Sequence, residues 1–195
     1  MSAIALKIFK YRSYTPIPFL LVMFFFANPN IWSILIGFII ALAGEAIRIW
    51  GVSWAGSETS ATGNVGGSFL VISGPFAHVR NPLYVGNILM YTGLGIMSFA
   101  LFPYLQVLGL FFFYFQYRLI VQEEEQYLEK TYGKEYENYR RNVPSFFPKL
   151  KAYKVDGLEQ PEYILKKGLT SEKRSLQAFG FVVITILLLW FLRRL

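Results

Sequence analysis

The sequence predicts an all-α, polytopic helical membrane protein with about five transmembrane helices. Of the 195 residues, 54% are hydrophobic and only 16% are charged, and a soluble domain of this size rarely carries so apolar a composition. A helix needs roughly 20 residues to cross the bilayer core. Five apolar segments approach that length, namely residues 14–27, 31–50, 83–102, 104–121 and 176–192.

The first two segments are expected to form a helical hairpin. Pro16 lies near the start of the first, where a helix tolerates proline best. Residues 28–30, Asn-Pro-Asn, predict a tight turn between the two segments. In the second segment Glu45 and Arg48 are three positions apart, so they share a helix face and are able to pair. Charges inside a membrane are costly, so the pair indicates either a structural ion pair or part of a site.

Two further features divide the chain. Residues 53–73, with Gly63, Gly66 and Gly67, predict a loop over one membrane face. No lysine follows these glycines at the spacing of a phosphate-binding loop, so that kind of site is excluded. Pro103 interrupts the next apolar stretch, and residues 83–102 and 104–121 are therefore expected to form a second hairpin.

We expect a single membrane domain over residues 1–195, because the length fits one compact unit. Residues 1–72 would form the N-terminal hairpin and loop. Residues 73–150 would form the core that carries the chemistry. Residues 151–195 would form a basic segment and the last membrane helix.

After the fourth apolar segment the sequence becomes polar. Leu128, Tyr132, Tyr136 and Tyr139 recur at helical spacing over residues 123–141, which predicts an amphipathic helix at headgroup level or a continuation of the preceding span. The N-terminus and residues 118–174 are basic, whereas the turns near residues 28 and 103 carry no charge. This bias predicts a cytoplasmic N-terminus and a cytoplasmic site. We expect a prokaryotic inner (cell) membrane, and a last segment that crosses it fully.

Composition also excludes several kinds of site. The chain has no cysteine and one histidine, so disulfides, thiolate zinc sites and cysteine nucleophiles are excluded and no metal is expected. The net charge of +7 is assigned to basic residues that face anionic lipid, and no nucleic-acid partner is expected.

The most informative stretch is residues 74–86, which holds the only histidine, His78, and a lone Arg80 between prolines and glycines. Pro82 suits the first turn of a helix and Asn81 suits the cap before it. Free N–H groups and the positive dipole at that helix end, together with Arg80, suit a carboxylate.

A second polar cluster, Glu123-Glu124-Glu125, follows about forty residues later, where the fourth segment leaves the membrane. Adjacent carboxylates repel each other and call for solvent or a cation nearby. Arg118 shares a helix face with Glu125, so a solvated Arg–Glu pair is one interpretation. With the Arg80 stretch, the glutamates also suit an ammonium, and the two clusters together suit the methionine part of S-adenosylmethionine.

These motifs resemble a known family. The ordered pattern is Gly-Pro-Phe at residues 74–76, Val-Arg-Asn-Pro-Leu-Tyr-Val-Gly at 79–86, a hairpin of two spans, Glu-Glu-x-x-Leu at 124–128, Gly133-x-x-Tyr136-x-x-Tyr139 and Pro148. It resembles the isoprenylcysteine carboxyl methyltransferase family, which belongs with the membrane phospholipid N-methyltransferases. The resemblance covers roughly residues 73–150. Asn81 stands where the family usually has histidine, and asparagine cannot titrate near neutrality.

The resemblance implies an S-adenosylmethionine-dependent methyltransferase that acts on a lipid or prenylated substrate, with a polar C-terminal cap over the cofactor pocket. It implies a cofactor site made by His78, Val79, Arg80, Asn81, Pro82, Leu83, Tyr84, Gly86, Gly93, Gly95, Glu124 and Glu125. Candidate catalytic residues are Arg80, Arg118 and Glu125, and candidate substrate-binding residues are Tyr136, Tyr139 and Arg140. A carboxylate acceptor needs no base, whereas an amine acceptor must lose a proton. The sequence leaves both open.

Two other functions stay open at this point. One is an NADPH-dependent membrane reductase of the sterol-reductase type. The other is a non-enzymatic module that binds anionic lipid through the basic residues 149–174.

Overall fold

The computed structural model describes residues 8–9, 11–56, 70–155 and 157–194, and within these ranges the chain is helical, without strands. Seven α-helices lie wholly inside them, with one 3-10 turn, Gly74–Ala77. The α-helices are α1 Pro16–Phe25, α2 Ile31–Ala55, α3 Pro82–Ser98, α4 Tyr104–Tyr132, α5 Lys134–Asn142, α6 Leu165–Ser171 and α7 Lys173–Leu192. The predicted all-α class is confirmed. Gly63, Gly66 and Gly67 of the predicted loop lie outside the described residues.

Three of the described helices, α2, α4 and α7, are long and apolar enough to cross a membrane. Helix α1 is apolar but has 10 residues, and α3 has 17, which cover about 25 Å. The number of five crossings therefore stays a prediction, as do the three parts into which the domain was divided.

Helices α2 and α3 pack antiparallel, glycine against glycine. A Cβ added at Gly44 would lie 2.5 Å from the carbonyl oxygen of Gly86, and one at Gly86 would lie 2.7 Å from that of Gly44. Gly37 and Gly93, each seven positions nearer the turn end on its helix, face each other in the same way. Small residues let helix backbones approach closely in membranes. The main partner of α2 is therefore α3, while α1, its predicted hairpin partner, packs against α3 and α7.

The connections at one end of the bundle, here called the turn end, are tied by buried hydrogen bonds. The Asn28 N–H donates to the Ser98 carbonyl over 2.9 Å, which joins the α1–α2 turn to the end of α3. The Gln106 side chain donates to the carbonyls of Gly95 and Ala100 over 2.8 and 3.2 Å. Ser98 and Ala100 are fully buried. These bonds fix the α3–α4 turn that Pro103 predicts.

The opposite end, here called the polar end, is built by the second half of the chain. Helix α4 continues past the Glu123–Glu125 cluster as far as Tyr132. For these residues the structure agrees with the second predicted alternative, a helix that continues the preceding span. It stops at Gly133, whose φ of 52° suits glycine, and α5 follows. Residues 143–155, here called the 143–155 segment, follow α5 and pass alongside the 3-10 turn. The Lys149 N–H donates to the His78 carbonyl over 3.0 Å, and the Tyr153 N–H donates to the Ala77 carbonyl over 2.9 Å.

Helices α6 and α7 follow α2 back towards the turn end. The Ile164 N–H donates to the Ser53 carbonyl over 2.9 Å, just before α6 begins. Glu172 separates α6 from α7. Val182 and Ile186 of α7 are buried in one apolar cluster with Ile34 and Ala41 of α2. The last helix is therefore packed into the bundle along part of its length.

Candidate active site

A cavity of about 870 Å³ lies between the helices on the polar-end side of the bundle. Its walls come from nearly every element, including α1, α2, α3, α4, α5 and α7. Apolar side chains line the part of the cavity that lies nearest the middle of the helix bundle, here called its apolar middle: Ile17, Leu20, Met90, Leu94, Phe179 and Val182. Charged and hydroxyl-bearing side chains line two other parts of the wall: Arg12, Arg80, Asn81, Tyr84, Glu124, Tyr136 and Tyr139 in one, and Arg48, Asn87, Glu172, Arg174 and Ser175 in the other. The cavity is thus amphipathic.

Arg80 is held by four hydrogen bonds. Its Nε and Nη2 donate to Glu125 Oε1 over 3.0 and 2.8 Å, forming a buried ion pair. Its Nη1 donates to the carbonyl of Arg140, over 3.0 Å, and to that of Val143. The Arg80 side chain also interacts with the Tyr136 hydroxyl, so its donors are largely engaged within the protein. Arg80 and Glu125, predicted to hold opposite ends of a cofactor, contact each other directly.

Glu124 lies on the cavity wall with one carboxylate oxygen occupied. The Tyr84 hydroxyl donates to its Oε1 over 2.8 Å, and the Tyr84 ring stacks on Tyr117 with centroids 4.7 Å apart. Arg12 interacts electrostatically with Glu124 and lines the same wall. Among the described residues, Arg12 Nη1 donates to the Phe9 carbonyl over 3.0 Å. Glu124 and Arg12 therefore offer an acceptor and a group of donors side by side.

Asn81 precedes α3 but its side chain does not cap that helix. Its Nδ2 donates instead to the backbone oxygen and to the Oγ of Ser145, over 3.2 and 3.0 Å. The expectation of a side-chain cap is wrong here: the amide is turned towards Ser145 and its oxygen accepts no N–H of the first helical turn. Pro82 does fill the first turn of α3, as predicted. Asn81 thus fastens the 143–155 segment to the cavity rim.

The second polar group is centred on Arg48. Its Nε lies 3.5 Å from Glu45 Oε2, which is the pair that the sequence spacing allows. The guanidinium also bonds Asn87 of α3 and Glu172, which separates α6 from α7. Ser175 donates to Glu45 over 3.3 Å. Two buried carboxylates therefore share one arginine, and together they join α2, α3 and the start of α7.

Tyr136 and Tyr139 of α5 are buried and line the cavity. The Tyr139 hydroxyl donates to the Phe76 carbonyl over 2.7 Å. Burial raises the pKa of both phenols, and the charge of Glu125 adds to the rise in the pKa of Tyr136. Both therefore remain protonated near neutral pH and act as hydrogen-bond donors.

Leu83 also lines the cavity, and the remaining predicted site residues lie away from its wall. His78 is held by its Nδ1 contact of 2.8 Å with the Lys149 carbonyl, and Val79 is buried. Gly86 and Gly93 pack against α2, and Gly95 packs against Gln106. Arg118 is exposed on α4, and Arg140 pairs with Glu129 over 2.8 Å. No group of acidic residues or histidines among the described residues is arranged to hold a metal ion.

Several cavity residues were absent from the sequence prediction: Arg12, Asn87, Glu172, Arg174 and Ser175. Only Glu172 carries a signal in the sequence, since it is an isolated acid just before an apolar segment. The others look like ordinary polar residues at helix ends. Their role depends on how distant segments pack.

Comparison with known proteins places this cavity in a family context. The model of the phospholipid methyltransferase family matches residues 32–135. The match includes nearly all of α2, the whole of α3 and α4, and both members of the Arg80–Glu125 pair. It excludes α1, the 143–155 segment and α7.

Three curated proteins are similar to the chain. A cobalt-zinc-cadmium resistance protein of Cupriavidus metallidurans is 33% identical over 115 residues, which are 59% of this chain and 50% of the relative. A nickel-cobalt-cadmium resistance protein of Alcaligenes xylosoxydans xylosoxydans is 32% identical over 87 residues, 45% of this chain and 39% of the relative. A methanethiol S-methyltransferase of Crocosphaera subtropica is 36% identical over 73 residues, 37% of this chain and 27% of the relative.

The chain spans half or less of the length of these relatives. No solved structure matches it. The family model covers more than half of the chain and agrees with the motifs of residues 73–150. The chain is an integral membrane protein with an amphipathic cavity, and it belongs to the phospholipid methyltransferase family.

Proposed function

We propose that this protein is an S-adenosylmethionine-dependent methyltransferase that acts on a lipophilic acceptor at the cytoplasmic face of a prokaryotic inner membrane. The observation that carries the proposal is the amphipathic cavity, in which Glu124 and Arg12 lie on one wall beside an apolar middle. The family match favours methyl transfer over reduction by NADPH.

The residues present fit the cofactor. A volume of about 870 Å³ lies within the range of small-molecule sites. The second oxygen of Glu124 is available to an ammonium, since Tyr84 occupies the first. Arg12, on the same wall, is the cation that would hold a carboxylate. The predicted roles of Gly86, Gly93 and Gly95 would then be indirect, through the position of α3.

S-adenosylmethionine bound there supplies an electrophilic methyl group on a sulfonium, which the acceptor attacks in line. The protein contributes position and exclusion of water. Arg80 is immobilised by Glu125 and two carbonyls, so the rim of the cavity is rigid where the reactants would meet. Tyr136 and Tyr139 add protonated hydroxyls and ring surfaces to the wall.

The apolar middle of the cavity suits the hydrocarbon part of the acceptor. Leu20 of α1, Leu94 of α3 and Val182 of α7 line it, so a chain would lie between these three helices. A second candidate is a small thiol acceptor, because one relative is a methanethiol S-methyltransferase. The two acceptors differ in size, and only the first would fill the apolar middle.

Calorimetry on the purified protein in nanodiscs tests the cofactor. We expect S-adenosylmethionine to bind and NADPH not to bind. Glu124→Gln removes a charged acceptor, which is worth about 1.5–3 kcal/mol, or a loss of affinity of about 10- to 100-fold. Glu135→Gln, the same change at an exposed position of α5, is the control. Absence of S-adenosylmethionine binding, or equal affinity in both variants, would contradict the proposal.

A further inference from the structure

The 143–155 segment exposes three large apolar side chains, and Phe147 and Leu150 are far more exposed than Val155. Phe147 is 78% exposed and Leu150 is 100% exposed, in a part of the chain without helix. The segment also contains Lys149, Lys151 and Lys154 and no acidic residue. An exposed apolar pair beside an excess of lysine is unusual for a surface that faces only water. It is typical of segments that lie at a membrane interface.

The neighbouring Phe146 shows how deep the segment reaches. Its side chain is buried in a cluster with Phe113 and Tyr117 of α4, and its ring centroid lies 5.4 Å from that of Tyr114. Tyr114 precedes Glu124 by ten positions, or about 15 Å along the helix axis. Phe146 therefore contacts the apolar part of a helix that is able to span a membrane. Phe147, the next residue, lies close to this level and points outward.

The chain on both sides of this point is fixed at the polar end. Before it, Ser145 accepts a hydrogen bond from Asn81 over 3.0 Å. After it, the Lys149 N–H donates to the His78 carbonyl over 3.0 Å, and the Lys149 ammonium donates to the Asn142 carbonyl over 2.7 Å. The segment thus runs from the polar end along α4 to the apolar part of that helix, exposes Phe147 there and turns back to the polar end. Lys151 and Lys154 are exposed beyond the return.

We propose that the 143–155 segment is a lipid-binding anchor. Phe147 and Leu150 insert at the boundary between headgroups and acyl chains, and Lys151 and Lys154 contact anionic phospholipid headgroups. The apolar pair lies beside the apolar part of a span, where lipid is the surrounding solvent, and the lysines complement the negative surface of a bilayer. Phe147 and Leu150 would have to leave the lipid before a protein partner could bind the same surface.

The anchor would act on the cavity rim. Asn81 and Arg80 both hold backbone oxygens of the 143–155 segment, at Ser145 and Val143 respectively. Insertion of Phe147 would therefore restrict the motion of Arg80 and Asn81 on the cavity wall, although Phe147 itself contacts no ligand in the cavity. This inference does not depend on the proposed reaction.

Site-directed spin labelling tests the depth, because the chain has no native cysteine. Phe147→Cys, Leu150→Cys and the control Glu135→Cys would each carry one nitroxide in the full-length protein, in nanodiscs that contain anionic phospholipid. Oxygen partitions into the bilayer and a nickel chelate stays in water. We expect labels at 147 and 150 to collide more with oxygen, and the label at 135 to collide more with nickel.

A nickel-accessible label at 147 and 150 would overturn the proposal. So would a strongly immobilised label that neither reagent reaches, since that result would mean a protein partner or a second copy covers the surface. The lysines are tested by adding Lys151→Gln and Lys154→Gln to the Phe147→Cys protein. We expect the label to lie deeper in anionic than in zwitterionic nanodiscs, and this difference to disappear in the triple variant. Equal depth in both lipids without the lysine changes would contradict the electrostatic part.

Discussion

Arg80 and Arg48 are two partly buried arginines on the wall of one cavity, and they hold different parts of the molecule. Arg80 bonds one carboxylate, Glu125, and two backbone carbonyls. Arg48 is shared by two carboxylates, Glu45 and Glu172, and by an amide. The first group pairs one arginine with one carboxyl group, whereas the second places two carboxyl groups around one arginine.

The two groups also differ in reach along the chain. Arg80 and Glu125 both belong to the residues matched by the family model, residues 32–135. Glu172 lies outside that range, at the start of α7. Arg80 therefore pairs with a carboxylate of the matched region and holds two backbone carbonyls a few residues beyond it, whereas Arg48 attaches a distant helix, α7, to that region.

The largest effect is expected at Arg48. In Arg48→Ala, two buried carboxylates would lose their only cationic partner among the described residues, and breaking such a pair costs about 3–5 kcal/mol. Thermal unfolding of the detergent-solubilised protein measures the loss, with Arg193→Ala, an exposed arginine at the end of α7, as the control. Equal unfolding temperatures in the two variants would mean that the joint between α2 and α7 contributes nothing.

A smaller loss is expected for Arg80→Lys. The charge stays, but an ammonium cannot reproduce the fork that bonds Glu125 and two carbonyls at once. Loss of a hydrogen bond to a charged group corresponds to about 1.5–3 kcal/mol. We expect the unfolding temperature to fall and the affinity for S-adenosylmethionine to fall with it. A lysine variant that keeps both values would show that the cavity rim needs only the charge.

The smallest of the three effects is expected for Gly86→Ala, which links the two groups. The new Cβ would lie 2.6 Å from Arg48 Cγ and 2.7 Å from the Gly44 carbonyl, so α2 and α3 must separate. Overpacking of this kind costs about 1–3 kcal/mol. Gly180→Ala, where no atom lies within 4 Å, is the matched control in unfolding measurements. Weaker cofactor binding at unchanged stability would instead indicate that Gly86 contacts the cofactor.

Local sequence patterns predicted much of the fold because the information is local. Apolar segments of sufficient length, the prolines that start α1 and α3 and the turn at Pro103 can each be read over a few residues. The spacing of Glu45 and Arg48 likewise predicts their pairing. For the site, the sequence placed the Arg80 stretch and the glutamate cluster at the same membrane face, and the structure brings them into contact.

The rest depends on packing between distant segments. The bond from Arg48 to Glu172 joins residues separated by 124 positions, and no periodicity encodes it. Asn81 would cap α3 if Ser145 were elsewhere, but residues 64 positions apart meet at the cavity rim. The glycines of α3 are equally compatible with a nearby ligand and a nearby helix. Only the position of α2 shows that Gly86 and Gly93 face Gly44 and Gly37.

The hydrogen bonds at the turn end bear on where a ligand would enter and leave the cavity. Ser98 and Ala100 are fully buried there, Gln106 bonds the neighbouring carbonyls, and none of the three lines the cavity. In the described part of the chain these residues therefore pack the turn end, and the cavity lining lies on the polar-end side of them. If reactants and products pass on the polar-end side, a product that stays in place would delay the next reactant.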